Sequence, residues 1–272
     1  MAIKKDILKD VKLFVLDMDG TFYLGDRIFK GSLPFLDAIR ESGKDFLFFT
    51  NNSSKTPELY IEKLKRMGCE IDRSGIMTSG DVTIRYLETF HKGESVFLMG
   101  TEALRNQFRE SGINLAEGPP DIAGRERPDV VVCAFDTELN YYKLERACSA
   151  IRNGAVFLAT HPDINCPTET GFIPDCGALC AAVALSAGRP PRYLGKPFPE
   201  TPDMILSATG YAAADIAFVG DRLYTDVAAG VNNGAKGFLV LSGETRAEDV
   251  AGSGVAPDAV FADLGEMAAY LR

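Results

Sequence analysis

Four short stretches carry side chains that could do chemistry together: Asp17-Met18-Asp19-Gly20-Thr21, Thr50-Asn51-Asn52-Ser53, Gly195-Lys196-Pro197, and the run from Gly220 to Asp226. Asp17 and Asp19 stand two apart, so an extended chain points both carboxylates to one side. Gly20 lets the chain turn sharply and approach a ligand closely. Asp221 and Asp226 add two more carboxylates, and so much negative charge in one pocket is costly unless a cation neutralises it. Oxygen-only donors on a hard site suit Mg²⁺, which keeps several waters and takes few protein carboxylates. Lys196 brings a point charge suited to a phosphate. Thr50 brings a hydroxyl, and the turn after it offers backbone N–H groups to anionic oxygens. The set fits phosphoryl transfer, in which positioning and charge stabilisation dominate.

Taken singly, each stretch has an ordinary explanation. An Asp-x-Asp pair is usually a turn or a solvated edge, and Asn51-Asn52-Ser53-Ser54 is an unremarkable loop composition. Gly195-Lys196-Pro197 reads as a surface turn, and Asp226 as the acidic group in a helix's first turn. Their order along the chain argues otherwise, since each falls at the C-terminal end of an expected strand or the start of the next helix. That is where open α/β sheets bind ligands. No Gly-x-x-x-x-Gly-Lys-Ser/Thr loop and no Gly-x-Ser-x-Gly elbow occurs. Gly252-Ser253-Gly254 lacks a third glycine and reads as a flexible turn. Of the two histidines, His91 is expected to face solvent at a helix end, whereas His161 follows a strand.

The elements that must position these groups alternate from end to end. Leu13–Leu16 is a continuous apolar run, as in a strand buried on both faces of a parallel sheet. Ser32 offers an N-cap to a helix whose apolar repeat is Leu33, Leu36 and Ile39, closed by Gly43. Phe46–Thr50 is a second strand, and Thr56-Pro57 opens a helix ending at Gly68. Strands are expected at 96–99, 130–135, 156–160, 216–219 and 237–241. Helices are expected at 102–111, 141–152, from Thr201-Pro202, from about Thr225, and at 264–271. Gly112 to Pro128 reads as a surface connection. This alternation predicts an α/β fold, a doubly wound and mainly parallel sheet.

The 272 residues suggest about one to two domains. The longest apolar run, Ala178 to Leu185, is far short of the ~18 residues of a membrane span, and the N-terminal stretch reads as no signal peptide. With a net charge of −9 and no basic cluster, nucleic acid and anionic membrane are poor partners. Six cysteines without a secretory signal point to reduced thiols in the cytoplasm. Cys176 and Cys180 could share a helix face. With two histidines and no Cys-x-x-Cys pair, core thiols are expected there rather than structural zinc.

The four motifs, read as DMDGT, TNNSS, GKP and GDRLYTD and followed by GAKGFLVLSG, resemble the haloacid dehalogenase superfamily and within it the NagD-like branch of phosphatases. The resemblance spans nearly the whole chain. It implies a Rossmann-like core, residues 1–81 and 185–272, with an inserted α/β cap, residues 82–184. It further implies that Asp17 attacks phosphorus and forms an aspartyl-phosphate, and that Asp19 serves as general acid and then base. Thr50 and Lys196 would hold the phosphoryl oxygens. Asp17, the backbone carbonyl of Asp19, and Asp221 would ligate Mg²⁺, supported by Asp226, with Asn51 supporting the second motif. The segment 160–178 takes the place of the substrate-specificity region, making Asn52, His161, Asp163 and Asn165 candidate substrate contacts. It departs from the usual pattern at His161, where Asn is common, and at Asp175-Cys176-Gly177. Thr78-Ser79-Gly80 likewise replaces a frequent Thr-Ser-Ala.

The expected protein is a Mg²⁺-dependent phosphomonoesterase for a small cytoplasmic phosphate ester, of sugar phosphate, nucleotide, pyridoxal phosphate or p-nitrophenyl phosphate type, with a homodimer among the assemblies open to it. A signalling receiver would need about half this length and a phosphorylated Asp on a later strand than its acidic pair. A silent phosphate-ligand binder would have less reason to carry every acid, base, lysine and metal position. A phosphoryl-transferring mutase is left open.

Overall fold

The computed structural model describes residues 5–116, 127–168 and 170–272, so most of the connection expected between Gly112 and Pro128 lies outside the described residues. After a 3₁₀ turn at Lys5–Leu8, β1 (Leu13–Leu16) leads through the hairpin of β2 (Tyr23–Leu24) and β3 (Arg27–Ile28) into α1 (Ser32–Glu41). Next come β4 (Asp45–Thr50), α2 (Pro57–Arg66), β5 (Ile76–Thr78) and α3 (Ser79–Phe90). The middle of the chain runs β6 (Val96–Met99), α4 (Glu102–Glu110), β7 (Val130–Cys133), α5 (Tyr141–Arg152) and β8 (Val156–Ala159). A hairpin of β9 (Asn165–Thr168) and β10 (Gly171–Pro174) precedes α6 (Cys176–Ala187) and β11 (Arg192–Tyr193). The last third holds α7 (Glu200–Thr209), β12 (Ile216–Gly220), a π turn at Leu223–Val227 running into α8 (Ala228–Val231), β13 (Lys236–Val240), β14 (Ala259–Phe261) and α9 (Leu264–Leu271).

Six strands make the first sheet in the order β14-β13-β12-β1-β4-β5, all parallel. Its central strand, LFVL, is buried at every position, which is why it reads as an unbroken apolar run rather than an alternation. Phe14, Leu16, Phe48, Val219 and Phe238 point to one face, where they pack with residues of α1, α2 and α9. Leu13, Val15, Leu47, Phe49, Ile216 and Phe218 point to the other.

A second parallel sheet, β11-β8-β7-β6, has two faces as well. Val96, Leu98, Val130, Val132 and Leu158 join the same apolar cluster as Leu13 and Val15, together with Val82 and Leu87 of α3 and Ile205 of α7. Phe97, Met99, Val131, Cys133 and Phe157 face α5 and α6. The facing sides of the two sheets therefore meet in one apolar cluster, while the outer face of each packs on its own helices.

Three local expectations need correction. Ser32 lies inside α1, whose N-cap is Gly31. Its hydroxyl instead donates to the Phe22 carbonyl at 2.7 Å, and Leu33 is exposed. His91 does not stand free in solvent, because it caps the end of α3 with Nδ1 2.9 Å from Glu94 and its ring against Tyr86. The boundaries expected at 81/82 and 184/185 fall inside α3 and α6, whose unbroken i→i−4 ladders make each helix one unit. Beyond residue 187, β11 still pairs with β8, Tyr193 opposite Ala159.

Candidate active site

The strand order reverses at β1: the chain moves from it to β4 on one side and later to β12 on the other. The C-terminal ends of these three neighbours meet at that switch point, so Asp17, Thr50 and Asp221 are brought together by backbone pairing alone. The turn that follows β1 depends on Gly20, which has φ +89°. A Cβ there would lie 2.5 Å from Asp221 Oδ2, so neither the backbone nor the space admits a larger residue. Gly220 is similarly confined, by the carboxylate of Asp226.

Lys196 sits at the centre. It is 2% exposed, and its ammonium group reaches Asp17 Oδ1 at 2.7 Å, Asp226 Oδ1 at 2.7 Å and the Phe49 carbonyl at 3.1 Å. All three of its protons are thereby engaged. Burial alone would drain the charge from Lys196, but Asp17 and Asp226 outweigh it and raise its pKa above the usual lysine value. The carboxylates are not fully compensated in return. Burial and the charge of Asp226 hold the Asp17 carboxyl well above the usual range, against the pull of Lys196. Burial and Asp226 push Asp221 up to about 7. Asp19 is also raised, by burial, although Lys63 and the Tyr23 hydroxyl, 3.2 Å from Asp19 Oδ2, act the other way.

Carboxylate oxygens of Asp17, Asp221 and Asp226 lie within 4.8 Å of one another. This all-oxygen donor set, with more acid than the local cations balance, fits a hard divalent ion. Asp221 is oriented by the Thr21 hydroxyl at 3.2 Å and the Glu244 amide at 2.7 Å. Asp226 Oδ2 accepts the Arg222 amide at 3.0 Å.

Asn51 ties the site to the second sheet. Its Nδ2 donates to Asp163 Oδ2 at 2.7 Å and to the Lys196 carbonyl at 3.0 Å, while its Oδ1 accepts the Lys196 amide at 2.9 Å. Thr50 Oγ1 accepts the Asn52 amide at 3.1 Å, and Asn52 Oδ1 in turn accepts the Ser54 amide at 3.0 Å, forming the tight turn after β4. Ser53 extends the link: its hydroxyl meets Thr160 Oγ1 at 2.9 Å and accepts the Phe135 amide at 3.0 Å.

A cavity of about 40 Å³ is lined by Asp17, Asp19, Thr50, Asn51, Asn52 and Lys196 from the expected motifs, with Asp226 and Asp163. Asp221 stands behind them. Two candidates for substrate contact are not in the lining. His161 is 0% exposed with both ring nitrogens occupied, Nε2 by Asp175 at 2.8 Å and Nδ1 by Thr160 at 2.9 Å. Asn165 is exposed, and its backbone carbonyl accepts from Arg222 Nη2 at 3.3 Å. Burial would lower the His161 pKa, but the Asp175 carboxylate outweighs it and raises the ring to about 9.

Five lining residues were missed by the sequence reasoning: Cys166, Pro167, Asp175, Arg222 and Thr225. Arg222 had a signal, since it is the one cation within the acidic run 220–226. Its guanidinium pairs with Asp163 and with Glu244 Oε2 at 2.8 Å, and so bridges the loop after β12 to the start of the β9–β10 hairpin.

The haloacid dehalogenase-like hydrolase pattern matches residues 14–114, and an HAD-hydrolase-like pattern matches residues 193–267. An acid sugar phosphatase of Staphylococcus aureus is 35% identical over 97% of this chain and 100% of its own. A 4-nitrophenylphosphatase from Thermotoga maritima superposes with a TM-score of 0.90 at 42% identity, covering 98% of this chain and 99% of that one. NagD from E. coli K-12 gives 0.83 at 28% identity, over 94% and 98%. A lysine clamped between two aspartates at the switch point of a parallel sheet, and full-length similarity to these proteins, together show that the chain belongs to the haloacid dehalogenase-like hydrolases, as a phosphatase of their NagD-like branch.

Proposed function

We propose that this phosphatase is a Mg²⁺-dependent phosphomonoesterase that works through an aspartyl-phosphate on Asp17. The observation that carries the reading is the buried Lys196 ammonium group, 2.7 Å from Asp17 Oδ1, with Lys196, Asp17 and Thr50 lining one cavity. Lys196 offsets the charge of Asp17, so that an anionic phosphoryl group can approach a carboxylate. An oxygen of Asp17 attacks phosphorus as the ester P–O bond breaks, and Asp19 gives its proton to the departing oxygen. Asp19 then takes a proton from water as that water attacks the phosphoryl group, freeing Asp17 and inorganic phosphate. Thr50 and the turn amides around Asn52 hold phosphoryl oxygens. Asp17, the Asp19 carbonyl and Asp221 would hold Mg²⁺, with Asp226 beside them, and the ion would supply positive charge to the transferring group.

The substrate is a small phosphate ester of the sugar phosphate or p-nitrophenyl phosphate type, in keeping with the names of the relatives. A cavity of about 40 Å³ admits a few waters, whereas small-molecule pockets run to hundreds of Å³. The second sheet and its hairpin therefore act as a cap that opens for the ester and closes around it, with Asp163 and Arg222 as the closing contact. The described residues include no helix long and apolar enough to cross a membrane. All six cysteines are free thiols, in keeping with a reducing compartment such as the cytoplasm.

The test is phosphate release from a panel of sugar phosphates and p-nitrophenyl phosphate, with Mg²⁺, with EDTA, and in Asp17→Asn and Asp19→Asn. Metal-dependent turnover that Asp17→Asn abolishes is expected, with slow formation and breakdown of the phospho-enzyme in Asp19→Asn. Turnover that survives in Asp17→Asn excludes the covalent route, and no turnover on any ester excludes the reading as a whole.

A further inference from the structure

The second sheet holds a group of side chains that the phosphatase chemistry does not use. Cys133 ends β7, Cys176 begins α6 and Cys180 lies one helical turn further on, all three 0% exposed. Their sulfur atoms lie within 4.8 Å of one another, and the Cys176–Cys180 pair is 3.8 Å apart. Thiolates bound tetrahedrally at about 2.3 Å from a zinc ion stand roughly 3.8 Å from each other. The Cys176–Cys180 edge already has that length, and the two edges to Cys133, within 4.8 Å, differ from it by no more than about 1 Å. The sequence conceals it, because the third sulfur comes from a strand 43 residues before Cys176 and no Cys-x-x-Cys pair results.

The donor set is sulfur alone. His161 cannot serve as an imidazole ligand while Nε2 engages Asp175 and Nδ1 engages Thr160. The Thr160 hydroxyl, 3.6 Å from Cys176 Sγ, is an oxygen at the edge of the triangle. Three thiolates select thiophilic ions and discriminate against Mg²⁺, so this site does not compete with the carboxylates of Asp17, Asp221 and Asp226 for the same ion.

We propose that Cys133, Cys176 and Cys180 form a three-thiolate binding site for a soft or borderline metal ion of the Zn²⁺ or Cd²⁺ class. On binding, three S–H bonds give way to three metal–sulfur bonds and three protons pass to solvent, with no change of oxidation state. In the metal-free protein, Cys176 Sγ donates to the Cys133 carbonyl at 3.4 Å, a contact the ion replaces. An ion here pins the N-terminus of α6 to β7, one residue from Asp175, which lines the phosphatase cavity and holds His161. The inference rests on the thiol geometry and stands independently of the ester chemistry.

The experiment uses the full chain, kept reduced and saturated with Mg²⁺, and titrates it with Cd²⁺. Sulfur-to-cadmium charge-transfer absorption is expected to saturate at one ion per chain and to raise the Tm. Apparent affinity should fall at least tenfold in Cys180→Ser and in Cys133→Ser, and stay unchanged in Cys148→Ser, which lies outside the triangle. X-ray absorption of the Zn²⁺-loaded wild type should count three sulfur neighbours at about 2.3 Å, a measurement that needs no variant to fold. No charge-transfer band, equal affinity in the cluster variants, or fewer than two sulfur neighbours would overturn the proposal.

Discussion

Replacing Lys196 by Met keeps an unbranched side chain of similar reach and removes only the charge and the donors. In the wild type the ammonium group makes contacts of 2.7, 2.7 and 3.1 Å and is 2% exposed, so no solvent replaces it. Asp17 and Asp226 would then face each other as buried carboxylates with no cation between them. Breaking a buried pair in this way costs about 3–5 kcal/mol, because the partner charge stays desolvated. For a protein of this size that is a drop in Tm of order 10 °C. Turnover should fall by at least 10²–10³-fold, the usual effect of deleting one donor to a developing oxyanion. The chain has no tryptophan, so unfolding is best followed by far-ultraviolet circular dichroism or calorimetry, beside p-nitrophenyl phosphate turnover. Lys196→Arg should recover part of the stability but little of the rate, since a guanidinium restores charge without the geometry. A Lys196→Met enzyme that melts with the wild type and keeps more than a tenth of its rate would refute the central role of this pair.

The His161–Asp175 pair predicts a second effect, with a defined sign. The folded ring titrates near 9, above its unfolded value of about 6.5, so its stabilisation is complete below pH 6.5 and is lost as pH rises through 9. The groups facing it are Asp175, Asp163, Cys176, Thr160 and Ser79. Stability of the wild type relative to His161→Asn should therefore decline by about 3 kcal/mol from pH 6 to 9.5; a flat or rising difference contradicts the assignment. Across the contact between hairpin and core, a double-mutant cycle of Asp163→Asn and Arg222→Gln should give a coupling of roughly 1–3 kcal/mol in denaturant unfolding, for a pair 3% and 12% exposed. A coupling below about 0.5 kcal/mol would mean that the pair does not join hairpin to core.

Asn51 shows why the site is rigid where it must be. One amide group satisfies the backbone of Lys196 on both its N–H and its carbonyl sides and also grips Asp163. The lysine that meets Asp17 is thus positioned by a residue of the second motif, so the motifs act as one hydrogen-bonded unit. The same amide couples the position of Lys196 to the hairpin side of the cavity.

Much of this was legible in the residues. LFVL at 13–16, VFLM at 96–99, the helix at 141–152 and the helix at 264–271 lie where periodicity and apolar runs put them, because burial on one or both faces leaves a pattern in the chain. The four motifs fall at strand ends for the same reason. Short or exposed elements left no such pattern: β14 has three residues, β11 has two, and β9 and β10, NCPT and GFIP, lie at the surface with prolines in both. The alternation of elements and the acids at their ends determined an α/β phosphatase. Which groups stand within bonding distance was decided by tertiary structure. Asp163 meets Arg222 from 59 residues away, and Cys133 meets Cys176 from 43. The aim of His161 away from the cavity was decided the same way, by Asp175 and Thr160 holding both its nitrogens. Burial and pairing are set by what the fold brings alongside a residue, and local sequence carries no record of it.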